Sequence, residues 1–132
     1  MKNLIIWLVI LTLFTGSCKK LPYELGECNI IYDNISILPS NSITVTVITR
    51  ISDSTWTTDH TTQYTLTPKN NLLRLYFDDG YSFKLIIPEL RQDSIYDVKV
   101  IRNSNLNRLE YYSFKFNDKT YDSNNHIIHI QF

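Results

Sequence analysis

Between Ser42 and Val47 the chain reads SITVTV, which sets Ile43, Val45 and Val47 on one side and Ser42, Thr44 and Thr46 on the other. A period of two is the mark of a strand with one face buried. The same alternation groups Leu73, Leu75 and Phe77, then Tyr81, Phe83, Leu85 and Ile87. It continues through Tyr96, Val98 and Val100, through Tyr112, Phe114 and Phe116, and through Ile128, Ile130 and Phe132. Turn chemistry separates the runs. Asp78-Asp79-Gly80 predicts a tight hairpin, because Gly80 takes a positive φ without steric cost. Asn103 to Asn107 and Asn117 to Asn125 read as loops, and no repeat or heptad interrupts the series. The pattern predicts an all-β chain of seven to eight strands.

Composition sharpens this picture. Alanine, the best helix former, is absent, whereas Ile, Thr, Tyr and Asn abound. The 132 residues and 43% apolar content suffice for one core and not for two. Lys plus Arg equals Asp plus Glu at 13 each, so no net field draws in nucleic acid, and a nucleic-acid partner is not expected.

The first residues follow a different rule. Lys2 precedes an apolar run from Leu4 to Phe14 broken only by Thr12, and Gly16, Ser17 and two lysines end it. The run is the length of a secretory h-region and falls short of the roughly 20 residues that span a bilayer. Thr15-Gly16-Ser17-Cys18 resembles the lipobox of bacterial lipoproteins, with Thr15 where an aliphatic residue is usual. The resemblance implies cleavage before Cys18, lipidation of its thiol, and a membrane contact made through that lipid. Residues 1–17 are then a signal peptide, 18–27 a lipidated tether and 28–132 the folded domain, which leaves 132 minus 17, or 115, residues. Lys19-Lys20 in place of an aspartate after the cysteine implies sorting to the outer membrane of a Gram-negative bacterium, on its periplasmic face. Cys28, left without a second cysteine, reads as a small buried hydrophobe.

Leu90 to Val100, LRQDSIYDVKV, resembles the fibronectin type III and immunoglobulin-like segment in which a leucine and a turn precede a tyrosine and alternating valines. Asn34 to Val47 is similar to the first two strands of that family. The resemblance implies a β-sandwich in which Tyr96 is a tyrosine corner, its ring buried and its hydroxyl bonded to backbone upstream. An up-and-down barrel of the lipocalin kind, enclosing an apolar ligand, is the alternative.

Candidate chemistry is sparse. His126 and His129, three apart on a strand, point to opposite faces and make a poor zinc pair, and His60 reads as a turn residue. Asp78 and Asp79 offer paired carboxylates, but a hairpin requires polar residues there in any case. No phosphate loop, nucleophile elbow or metalloprotease motif occurs, so neither an enzyme nor a cofactor is expected. Tyr76, Ile86, Ile101 and Tyr111 alternate with the buried sets and read either as scattered exposed residues, or ones covered by the C-terminal strand, or as an outer contact patch for a protein partner. The expected function is a non-enzymatic binding or assembly module at the envelope. A lipocalin-like carrier, or an immunity lipoprotein that blocks a toxin or hydrolase, are the alternatives.

Overall fold

A computed structural model describes residues 23–53, 56–103, 105 and 108–132. Their strands are β1 (Gly26–Asp33), β2 (Ile43–Ser52), β3 (Thr57–Leu66), β4 (Leu72–Phe77), β5 (Tyr81–Ile87), β6 (Arg91–Asn103), β7 (Arg108–Phe116), β8 (Lys119–Asp122) and β9 (Ile127–Gln131). They form a sandwich. A three-stranded sheet, β4-β1-β9, packs against a six-stranded sheet, β3-β2-β5-β6-β7-β8. Both sheets keep free edges, so the closed barrel of the alternative reading does not form. Inside the small sheet β1 runs antiparallel to β4 and parallel to β9.

The alternating side chains of β2, β4, β5, β7 and β9 meet in one buried core, which also takes Cys28, Ile30 and Tyr32 from β1. Phe77 of the small sheet holds the layers together. Its ring lies edge-on to Tyr112 at 5.3 Å and to Phe114 at 5.5 Å, both on β7 of the large sheet. Edge-to-face contacts of this kind add about 1 kcal/mol beyond burial, and truncating such a phenylalanine costs about 3–5 kcal/mol. The ring also covers Gly26, where an added Cβ would stand 2.3 Å from it. Gly26 and Glu27 are thus part of β1 rather than of the expected tether.

The structure corrects the strand inventory. The first strand is β1, and Asn34 to Ile37, expected as strand, forms a left-handed Asn34 followed by a 3-10 turn. His60 lies within β3, opposite Thr49, and β8 arises inside the expected loop 117–125. The threonine-rich β3 and the four-residue β8 lie at the two edges of the six-stranded sheet, each with only one paired side. An edge strand needs less of the regular apolar alternation that a covered strand shows.

The 78–80 segment has its positive φ at Gly80, +79°, but it joins β4 in one sheet to β5 in the other and makes no hairpin. The Gly80 carbonyl instead accepts a 2.9 Å bond from Ser52 N–H at the end of β2. Gly80→Ala should lower stability by about 2 kcal/mol, because the residue is left-handed. A Cβ there would also stand 2.2 Å from the Ser52 oxygen. Urea denaturation with an unchanged midpoint would refute this account of the turn.

Candidate functional site

Tyr96 shows how one extra residue redirects a strand. Ile95 and Asp93 point inward, so Tyr96 points out, 37% exposed, and its hydroxyl donates to Asp118 Oδ1 at 3.1 Å. It is not a tyrosine corner: the ring is outside the core and the acceptor is a side chain in the β7–β8 turn. Asp97 takes φ +52°, and three steps on β6 from Tyr96 to Lys99 oppose two on β7 from Lys115 to Ser113. This bulge flips the parity, which brings Val98 and Val100 back against the core.

The four residues of the predicted patch do not share a face. Tyr76 lies on β4 of the small sheet, opposite Glu27, whereas Ile86 lies on β5 of the large sheet, opposite Gln92. Ile101 and Tyr111 are direct cross-strand partners on β6 and β7. From Gln92 to Ile101 is 101 minus 92, or nine, residues, roughly 30 Å along an extended strand. Only Ile101, 54% exposed, and Tyr111, 38% exposed, remain a pair.

That pair stands near a cluster of polar groups that closes one pole of the sandwich. The Tyr23 hydroxyl donates to Asp78, and the Arg102 guanidinium sits 4.0 Å above the Tyr23 ring centre. Arg102 Nη2 is 3.3 Å from Asp78 Oδ1, which also accepts the Asp79 N–H at 2.9 Å. Asp79 Oδ1 accepts the Val100 N–H at 2.8 Å, and Glu24 Oε2 accepts the Leu109 N–H at 3.2 Å. Both carboxylates of the Asp-Asp pair thus hold backbone and chain entry in place. Burial pushes the Asp78 carboxyl up, but hydrogen bonds from Tyr23, the Asp79 N–H and Arg102 outweigh it and hold the group below the usual range.

A second polar cluster surrounds a buried carboxylate at the opposite pole. Asp93 is 2% exposed and receives two 2.7 Å bonds from Arg91, together with a 3.0 Å bond from Asn117 Nδ2. Asn117 Oδ1 in turn accepts the Ser94 N–H at 3.0 Å. The Tyr32 hydroxyl is buried with no hydrogen-bond partner among the described residues. Burial, and then the charge of Asp93, raises its pKa. Asp93 escaped sequence reasoning because its inward parity follows from Ile95, and Tyr96 was the residue read as inward.

Other reactive side chains have local roles. Burial pushes the Cys28 thiol up to about 12, which keeps it protonated and inert. His129 Nδ1 lies 2.9 Å from Asp33 Oδ2, while His126 Nδ1 is 3.2 Å from the Ser123 carbonyl oxygen. Among the described residues no three His, Cys, Asp or Glu side chains form a metal-binding group. A groove of about 350 Å³, lined by residues that include Leu38, Pro39, Ile43, Pro88 and Leu90, opens at the Asp93 pole. A smaller one of about 160 Å³ lies beside the Arg50–Asp59 ion pair. Cys18 lies outside the described residues.

Two substitutions test these clusters. Asp93→Ala removes the buried acceptor of the Arg91 and Asn117 bonds and should cost about 2 kcal/mol, read from chemical denaturation. Asp78 has a folded-state pKa below its unfolded value, so its stabilisation is complete above about pH 4 and is lost as pH falls through the folded value. The gap in Tm between the protein and Asp78→Asn should therefore be widest near neutrality and close as the pH falls through the folded value. A gap that stays constant with pH contradicts the assignment.

Comparison with protein-family models, with curated proteins and with solved structures finds no match to this chain, so its family is not shown.

Proposed function

We propose that the protein is a lipid-anchored envelope lipoprotein whose β-sandwich acts as a non-enzymatic binding or assembly module. The observation that carries this reading is a juxtaposition. An apolar run of secretory length ends in Thr15-Gly16-Ser17-Cys18, and β1 begins at Gly26, 26 minus 18, or eight, residues later. A small-residue box lets an extended backbone enter a peptidase cleft, and a cysteine thiol placed there accepts a diacylglyceryl group. Among the described residues no helix is long and apolar enough to cross a membrane. A single acyl chain binds a bilayer marginally, whereas two or three hold it stably.

The binding role draws its support from the two ends of the sandwich. Its interior is filled by side chains, while an open groove and several exposed aromatic residues lie at the surface. Lys19-Lys20 after the cysteine favours the outer membrane, facing the periplasm.

Cys18→Ala should abolish incorporation of a fatty-acid label and move the protein from the membrane pellet to the soluble fraction. Label in the alanine variant, or sedimentation with membranes in the absence of label, would refute the anchor.

A further inference from the structure

We infer that the pole held by Tyr23, Asp78 and Arg102 lies flat against the bilayer, with Trp56, Tyr23, Leu25, Ile101 and Tyr111 at the lipid interface. The inference rests on the reading of Cys18 as the lipidated residue.

Chain length supplies the first argument. From Cys18 to Tyr23 there are 23 minus 18, or five, residue steps, and five steps extend to at most about 18 Å. Tyr23 is not free to lengthen that reach. Its hydroxyl is bonded to Asp78, its ring lies under Arg102, and the neighbouring Glu24 holds the Leu109 N–H. The polar headgroup zone is itself about 5–8 Å thick on each side of the hydrocarbon. A domain pinned so close to its anchor has one pole at the membrane surface and the other turned away.

The same pole exposes side chains suited to a lipid interface. β1, β3, β5 and β7 begin there and β2, β4 and β6 end there, as the pairings of Gly26 with Phe77, Ile51 with Tyr81 and Ile51 with Thr58 require. The bond from Ser52 N–H to the Gly80 carbonyl ties the β2–β3 end to the same turn that holds Tyr23. Trp56, 50% exposed, closes that end through its carbonyl, which accepts the Asp53 N–H at 2.8 Å. Tyr23, Leu25, Ile101 and Tyr111 are exposed on segments that begin or end at the same pole. Tyrosine and tryptophan combine an apolar body with a polar tip, and they concentrate where hydrocarbon meets water.

Charge decides the kind of surface. Arg50 and Arg102 at this pole are already paired with Asp59 and Asp78, and Glu24, whose carboxylate holds the N–H of Leu109, the residue after Arg108, adds a further negative charge. With Lys19 and Lys20 beside the anchor included, the five basic residues Lys19, Lys20, Arg50, Arg102 and Arg108 of these segments meet six acidic ones, Glu24, Asp53, Asp59, Asp78, Asp79 and Glu110. There is thus no basic excess, and the contact through the exposed apolar side chains suits zwitterionic lipid. The anchor holds these side chains at high local concentration over the bilayer, so contacts too weak to bind alone are populated.

Trp56 is the one tryptophan after Cys18, which makes it a native reporter. The acylated protein, purified from cells, is reconstituted in phosphatidylcholine vesicles whose acyl chains carry bromine close to the headgroup. We expect Trp56 emission to shift to the blue and to fall at least twofold relative to unbrominated vesicles, with no dependence on salt. A Trp56→Phe, Ile37→Trp protein, whose reporter sits in the 3-10 turn at the far pole, should lose no emission. Vesicle-bound, Cys18-acylated protein with unquenched Trp56, or with equal quenching at both poles, overturns the orientation and leaves the anchor standing. Protein that carries no acyl group and stays in the supernatant overturns both.

Discussion

The packing of the Phe77 ring is the contact on which the rest of the molecule depends. It sits edge-on to two rings of the facing sheet and leaves room beneath it only for glycine at position 26. That one residue therefore joins the sheets and places β1 beside β4. Its position also determines where the chain goes next. Asp78 and Asp79 leave the core at the sandwich edge, where one carboxylate receives Tyr23 and the other receives the backbone of β6. A core contact and a surface clamp are thus two consequences of the same few residues.

The other pole is organised by a buried charge. A carboxylate at 2% exposure is stable only where hydrogen bonds replace its water, and Arg91 and Asn117 provide three. Replacing the cluster by apolar side chains could leave stability unchanged, so position is its main contribution. Asn117 holds the β7–β8 turn against β6, with φ +52° at the turn and a bond from its N–H to the Ser94 carbonyl oxygen. A strand as short as β8 stays in register on that support and on Tyr121, which stacks on Phe114 at 5.7 Å.

The two poles divide the proposed work. One carries the chain entry, the clamp and the exposed aromatic residues, and it is the pole a short lipidated tether would bring to the bilayer. The other carries the groove between the Leu38–Thr44 segment and the Ile87–Leu90 turn, and that groove would then face open space. In the proposed role, the height and direction of that surface above the bilayer would be set by the clamp rather than by a long linker.

The alternation in Ile43 to Val47, Leu73 to Phe77, Tyr81 to Ile87, Tyr112 to Phe116 and Ile128 to Ile130 was enough to assign those inward faces and the all-β class. Parity along a strand is a local property. The faces of β6 were not legible, because the bulge at Asp97 reverses parity midway and arises from pairing with β7, fourteen and more residues downstream. For the same reason Tyr96 and Asp93 exchanged their expected places. The turn at 78–80 was legible as a glycine turn, but whether it closes a hairpin or crosses between sheets depends on what each flanking strand pairs with. The predicted patch of Tyr76, Ile86, Ile101 and Tyr111 failed on that point: Tyr76 faces outward from the small sheet, and Ile86 lies on the large sheet toward the pole opposite the paired Ile101 and Tyr111. Sequence by itself thus determined which side of most strands is apolar, since that is written every second residue. Only the tertiary structure decided which strands lie together, because hydrogen-bond partners are chosen across the chain and no local pattern encodes them.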